Sequence, residues 1–461
     1  MLKYLKGKGM IVNMNTTNQN GNIKPDMQTY FIDPKSYLKY DVKRGLRNVD
    51  GSGVLAGLTK VCEVHGYIVS EGEKIPDDGK LSFRGYDINE LVDVCGESGR
   101  FKYEEVSFLL LMGHLPTNEE FERYKQALRD EAYLPHNFAE DMILKSPSRD
   151  IMNKLSRSVL TLYSYDDNAD ATDISNVLRQ SVSLIAKLPI LAAYGYRAKS
   201  HYFDGKSLIL HQPKKEFSIA ENILHMIRDD NKFTEEEAKI LDLALVLQAE
   251  HGGGNNSAFT CRVLTSSGTD TYSAISGAIN ALKGPKHGGA NTKVVKMMKD
   301  FMDNISDWTD EDEVYEYLLK TLRGETCDRS GLIYGIGHAV YTKSDPRTKI
   351  LKEKAKILAE ERGLDKEYAF YELVERLAPK AFYEVKGDEK TVCANVDFYS
   401  GFVYLMLKIP IELFTPLFAI SRISGWCAHR MEELISGGRI LRPAYKSICK
   451  HTEGAKKMGD R

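Results

Sequence analysis

Apolar residues along this chain recur mostly at helical spacing. Val294, Val295, Met298, Phe301 and Met302 fall at i, i+1, i+4, i+7 and i+8, which is one face of a helix. The run Ile240-Leu-Asp-Leu-Ala-Leu-Val-Leu247 is apolar nearly all round and predicts a helix buried in a large helical core. Thr234 and Glu237 start it as a capping box, with a hydroxyl at the N-cap and a carboxylate at N3. Ser344-Asp-Pro-Arg347 predicts a further helix start: a polar cap, Pro at the first helical position, then Ile350, Leu351, Ala355 and Leu358 before Gly363. From about Glu104 to Ile227 one helical pattern follows another, with turns expected at Gly113, Pro116, Pro135 and Pro189. Strand-like pieces are confined to Gly51–Gly79, notably Val61–Val69, with Pro76-Asp-Asp-Gly79 as a turn. Lys80–Leu91 then leads into helix, with Arg84 expected as a structural ion-pair partner. The pattern predicts an all-α fold.

Composition narrows the class of protein. Residues are 42% hydrophobic and 28% charged, enough core for one large domain or a few ordinary ones in 461 residues. A net charge of −2, from 63 basic and 65 acidic residues, gives no reason to expect nucleic acid or an anionic membrane as partner. The seven cysteines are scattered and odd in number, without a CxxC pair, as reduced thiols in a cytoplasmic protein would be. Met1–Gly9 carries three lysines but no apolar core or cleavage pattern, and no Arg precedes Arg44, so neither a secretory nor a mitochondrial leader is expected. The most apolar run, Phe402–Ile420, is broken by Lys408, Pro410, Glu412 and Pro416 and predicts a buried helix pair, not a membrane span.

The candidate chemistry is concentrated in a few unusual stretches. In Gly284-Pro-Lys-His-Gly-Gly-Ala-Asn291, His287 sits between a Gly-Pro turn and a Gly-Gly pair, just ahead of the helix that carries Val294. The positive end of that helix disfavours a second proton, so the imidazole is expected to be neutral. A neutral imidazole among glycines suits donation of a hydrogen bond to a substrate carbonyl. His251-Gly-Gly-Gly-Asn-Asn-Ser-Ala258, Gly335-Ile-Gly-His338-Ala-Val-Tyr-Thr-Lys-Ser-Asp-Pro-Arg347 and Asn395-Val-Asp397-Phe-Tyr-Ser-Gly401 follow the same grammar. With these motifs the chain resembles the citrate synthase family, from about Gly53 to Tyr445.

The resemblance implies a two-domain helical fold with the site in the interdomain cleft. Residues 1–289 and 396–461 would form a large domain and 290–395 a small one. It also implies condensation of acetyl-CoA with oxaloacetate, followed by thioester hydrolysis, with no tightly bound cofactor and no metal. Asp397 would be the base, His287 the donor to the thioester carbonyl, and His338 the group that activates the ketone. His251 would bind oxaloacetate, and Arg347, Arg422 and Arg442 would clamp its carboxylates, guanidinium forks suiting that task better than lysine. Arg442 would reach across from the partner subunit of an obligate homodimer. Lys343 and Lys390 are candidates for the CoA phosphates; Lys343 adjoins Thr342, where some members carry Arg. Arg430 and Arg439 read as surface ion-pair residues.

Other classes fit less well. A metallohydrolase would need carboxylates at helical spacing from its histidines, as in HExxH, which this chain lacks. The lipase-like His251-Gly-Gly-Gly254 lacks the Gly-x-Ser-x-Gly elbow of an α/β-hydrolase. A helical scaffold without activity would have no use for this set of side chains. Within the family, 2-methylcitrate synthase, which takes propionyl-CoA, shares the motif residues.

Overall fold

The computed structural model describes residues 31–48, 52–70, 73–95, 101–387, 392–436, 438–449, 454, 455 and 459. The chain falls into two compact units, residues 1–56 and 57–461. In the first, Asp33 caps α1 (Pro34–Lys39), its carboxylate accepting from the Lys35 amide. A 3₁₀ turn at Arg44–Leu46 follows, and Arg47 bridges Gly53.

The second unit opens with a small antiparallel sheet, β1 (Cys62–Ser70), β2 (Glu73–Phe83) and β3 (Tyr86–Asp87). Pro76–Gly79, expected to turn the chain, lies inside β2. Tyr67 pairs with Pro76 and His65 with Lys80, so Asp77–Gly79 bulge opposite Gly66. The turn-forming residues are used to bend a strand, a common site for Pro and Gly in sheets. The two glycines allow a close approach: a Cβ at Gly66 would lie 2.6 Å from the Val340 carbonyl oxygen, and one at Gly79 2.1 Å from that of Ser344. Arg84 makes hydrogen bonds rather than the expected ion pair, donating to the Leu110 and Lys60 carbonyls.

Helices make up the rest: α2 (Ile88–Val94), α3 (Tyr103–Met112), α4 (Asn118–Glu131), α5 (Ile151–Leu162) and α6 (Ile174–Asp204). Next come α7 (Ile219–Ile227), α8 (Glu235–Gln248), α9 (Asn256–Ser266), α10 (Thr271–Lys283), α11 (Ala290–Asn304) and α12 (Glu311–Arg323). The last are α13 (Pro346–Arg362), α14 (Asp365–Lys386), α15 (Val396–Met406) and α16 (Phe414–Ile435). With 61% helix against 5% strand among the described residues, the fold is all-α as the sequence pattern predicts.

Pro189 does not turn the chain; it lies within α6, where burial on nearly every side holds the helix together across the missing hydrogen bond. By length and apolar composition α6 could cross a membrane, yet most of its apolar window is buried in this protein's own core. The Phe402–Ile420 run forms the end of α15, a 3₁₀ turn and the start of α16, a buried helix pair. The Thr234–Glu237 capping box starts α8, which is buried from Glu237 to Gln248 apart from Lys239. Helix α16 packs against α3, α6, α8, α9 and α10 and is buried from Phe414 to Met431 apart from Thr415. It is the axis on which the site is built.

Candidate active site

Two motif segments zip together to begin the site. The Gly337 amide donates to the Cys393 carbonyl (2.7 Å), the Asn395 amide to Gly335 (2.9 Å), and Asn395 Nδ2 to Gly337 (2.9 Å). Gly335 has φ +78°, and a Cβ there would meet Val294 and Phe398 within 3 Å, so only glycine fits. This short ladder sets His338 beside the start of α15. His338 Nδ1 accepts from the Val340 and Tyr341 amides at 3.0 and 3.1 Å, which leaves the ring proton of the neutral form on Nε2. Its ring stacks on Tyr341 (4.7 Å between centroids) and meets His251 edge-on (5.0 Å).

Asp345 is the hub below. It caps α13, and its carboxylate accepts from the amide, Nε and Nη2 of Arg347 and from the Val396 amide. A buried guanidinium is thereby held in a two-point fork, and Arg347 is 3% exposed. Asp397 stands in the first turn of α15. The helix cap is Asn395, which accepts from the Asp397 amide, so the Asp397 carboxyl is not spent on capping.

His287 lies against α16, its ring edge-on to that of Phe418 with 6.3 Å between centroids. Its Nε2 lies 3.0 Å from Ser257 Oγ, which also receives Trp426 Nε1–H at 3.1 Å and lies 2.9 Å from Asn255 Oδ1. Burial, then the Arg422 charge, pulls the His287 pKa down to about 4. The ring is neutral as the sequence suggests, but burial is the chief reason, and the helix start lies three residues on, at Ala290. Arg422, 1% exposed, donates Nε–H to the Gln248 carbonyl and lies over the Phe418 ring, 4.7 Å from its centroid.

What marks these residues as a site is what they leave unsatisfied. His251 Nε2, Tyr341 Oη, Asp397 Oδ1 and Arg422 Nη2 are all buried without a hydrogen-bond partner. Buried polar atoms are nearly always paired, and orphaned ones cost about 1–3 kcal/mol each. A cation, an imidazole, a phenol and a carboxyl left open together describe a polar, anionic ligand. Burial raises the Asp397 pKa to about 6 against the opposing pull of Arg347 and Arg422. Burial also drives the His251 pKa well below its usual value, helped by Arg347, His338 and Arg422. Burial lowers even the Arg422 guanidinium, to about 10. Such opposed shifts in one place are the mark of acid–base machinery.

Other candidates lie elsewhere. Arg442 is exposed on the segment 438–449, whose Leu441 amide donates to Ser266 Oγ at the end of α9. Lys343 pairs with Asp78 of the β2 bulge at 3.3 Å, and Lys390 lies outside the described residues. Arg430 is fully buried rather than at the surface, donating to Thr271, Thr265 and Thr269, because α16 carries it into the core. Tyr341 and Ser257 were not singled out by the sequence, although both fall inside the motifs quoted for His338 and His251. A cavity of about 310 Å³ between α4, α6 and α7 is lined by Phe121, Tyr133 and Phe217, away from all of these groups. Among the described residues no group of three or more His, Cys, Asp or Glu is placed to hold a metal ion.

The family pattern described as "Citrate synthase, C-terminal domain" matches residues 48–444. The chain belongs to the citrate synthase family. It is 34% identical over 415 residues to the citrate synthase of Haloferax volcanii, covering 87% of this chain and 94% of that one. It is 31% identical over 415 residues to 2-methylcitrate synthase 1 of Corynebacterium glutamicum, covering 88% and 96%. Among solved structures, citrate synthase from Pyrobaculum aerophilum superposes with a TM-score of 0.74 at 29% identity, over 91% of this chain and 95% of that one. The Thermoplasma acidophilum citrate synthase, solved as a ternary complex with carboxymethyl coenzyme A and oxaloacetate, also gives 0.74, at 26% identity over 91% and 99%. The family is one of transferases that condense acetyl-CoA with oxaloacetate.

Proposed function

We propose that this chain condenses acetyl-CoA with oxaloacetate and hydrolyses the resulting citryl thioester to citrate and CoA. The observation that carries this reading is the set of buried, unpartnered polar atoms on His251, Tyr341, Asp397 and Arg422. A dicarboxylate beside a thioester methyl answers each of them.

Asp397 takes a proton from the methyl group. Its raised pKa makes it a stronger base than a solvated carboxylate, and it is still ionised at neutral pH. His287 stabilises the enol oxygen by donating from Nδ1. Ser257 has one hydroxyl proton and two acceptors near it, His287 Nε2 and Asn255 Oδ1. With the Ser257 hydroxyl turned from Asn255 Oδ1, to which it donates at 2.9 Å, onto His287 Nε2 at 3.0 Å, the ring proton sits on Nδ1. His338, with its proton on Nε2, polarises the ketone of oxaloacetate. The enol carbon then bonds to the ketone carbon, and the ketone oxygen takes the Nε2 proton of His338 to become the hydroxyl of citryl-CoA. Water cleaves the thioester, releasing CoA.

His251, Arg347 and Arg422 hold oxaloacetate, joined by Arg442 of the partner subunit in a homodimer. Lys343 is a candidate for a CoA phosphate, its present partner Asp78 being half-exposed. Residues 290–395 would move as a small domain against 1–289 and 396–461, closing the cleft and excluding water.

A second reading, 2-methylcitrate synthesis from propionyl-CoA, is favoured by the similarity to relatives of that name. One methylene in an apolar pocket is worth only about 1–3 kcal/mol, so the same site could serve either thioester. Comparing kcat/KM for acetyl-CoA and propionyl-CoA at saturating oxaloacetate decides between them. The expected result is a preference for acetyl-CoA of roughly tenfold or more. A propionyl preference would move the assignment to 2-methylcitrate synthesis.

A further inference from the structure

Behind the site lies a buried ion-pair chain that the chemistry above does not use. His429 Nε2 lies 2.9 Å from Glu250 Oε1, and both side chains are fully buried. Arg262 Nη2 lies 2.7 Å from His429 Nδ1 and also pairs with Glu432, while Arg262 Nη1 reaches Glu433 at 3.0 Å. Glu432 in turn accepts from the Lys60 amide and the Thr59 hydroxyl, just ahead of β1.

Arg422, Gly425 and His429 fall at i, i+3 and i+7 on α16, one face of the helix. That face grips residues 248–250 at two points: Arg422 Nε–H on the Gln248 carbonyl at 2.7 Å, and His429 on the Glu250 carboxylate. Gly425 stands between them. A Cβ there would lie 2.1 Å from Glu250 Oε2 and 2.6 Å from the Ala249 carbonyl oxygen, so only glycine lets the segment lie this close. Gly253 completes the fit on the far side of His251, where a Cβ would stand 3.3 Å from Arg262 Nε and 3.4 Å from His429 Cε1. His251 is thus held between two segments that both rest on His429. Glu250 is also the leading anionic influence on Arg422, whose Nη2 is one of the open groups.

We propose that His429 is a positioning residue for oxaloacetate: by holding Glu250 it sets the placement of His251 and keeps a counter-charge beside Arg422. It reaches the substrate only through those two residues. The inference rests on the reading of His251 and Arg422 as the oxaloacetate site.

Two substitutions separate positioning from mere support of the core. The amide nitrogen of Gln stands near the place of imidazole Nε2, so His429→Gln keeps a donor to Glu250. Asn is shorter and stays near Nδ1, so His429→Asn loses Glu250 while keeping a group beside Arg262. Losing a buried hydrogen bond to a carboxylate should weaken oxaloacetate binding in His429→Asn on the order of tenfold to a hundredfold. The KM for acetyl-CoA should change by less than about threefold, and His429→Gln should restore most of the oxaloacetate affinity. Dissociation constants for oxaloacetate, measured by calorimetry on the full-length dimer or monomer as it purifies, provide the readout without requiring turnover. Wild type that binds oxaloacetate with both variants binding it equally well, or equally badly, would overturn the positioning role alone. Wild type that does not bind oxaloacetate would overturn the functional reading and this inference together.

Discussion

The Asp397 carboxyl has to act as a base in a place that penalises its charge. Its pKa of about 6 gives the sign of two effects. Proton abstraction needs the ionised form, so kcat/KM for acetyl-CoA should climb as pH rises through about 6 and level off above it. An acidic limb near 4 would contradict this. The folded state also binds this proton more tightly than the unfolded chain does, whose ordinary value is 3.8. Ionised Asp397 therefore costs stability above about pH 6, and the cost disappears toward pH 4. Asp397→Asn should be more stable than wild type by roughly 3 kcal/mol at pH 8, with the gain shrinking as pH falls. Thermal melts at several pH values check it; a destabilised variant at pH 8 would count against the electrostatic description. At this scale the sequence motifs pointed to His251, His287, His338, Arg347, Asp397 and Arg422, which the fold gathers around one set of open polar atoms. The causes were harder to see. The neutral state of His287 comes chiefly from burial, which a periodicity pattern does not report. That Asn395 and not Asp397 caps the helix, which leaves the Asp397 carboxyl open, is a matter of backbone geometry. The part of Tyr341 depends on its ring contacts with His251 and His338, which no sequence pattern reports.

Among the elements, the β1–β2 hairpin and the 335–346 loop show how closely backbone can be set when two glycines face it. Gly79→Ala would drive a methyl into the Ser344 carbonyl, next to the cap of the helix that carries Arg347. Stability should fall by about 1–3 kcal/mol, and KM for oxaloacetate should rise as the Asp345–Arg347 fork shifts. Unchanged melting and kinetics would show that the loop yields without cost. Asn395→Ala should cost about 1 kcal/mol through the lost cap of α15. It should also lower kcat, because the same side chain ties Asp397's helix to Gly337. The helices themselves were readable from apolar periodicity and capping boxes. Pro76–Gly79 and Pro189 were not, because in both places tertiary packing overrides a strong local turn signal: a bulge against a neighbouring loop in one, a buried helix in the other.

For the molecule as a whole, Arg442 is the test of assembly. It is exposed, whereas Arg347 and Arg422 are buried and His251 is half-buried. In a homodimer with shared sites, Arg442→Ala and Asp397→Asn should each be nearly inactive alone. Mixed and allowed to exchange subunits in equal amounts, they should recover about a quarter of wild-type activity, since half the dimers then carry one intact site. No recovery despite demonstrated exchange would place Arg442 outside the site. The measurement that bears most directly on the function is the loss of thioester absorbance from acetyl-CoA, followed with and without oxaloacetate, in wild type and Asp397→Asn. The expected result is loss that requires oxaloacetate and falls on the order of a hundredfold to ten-thousandfold in the variant. Thioester loss without oxaloacetate, none with it, or an undiminished rate in Asp397→Asn would contradict the proposed chemistry.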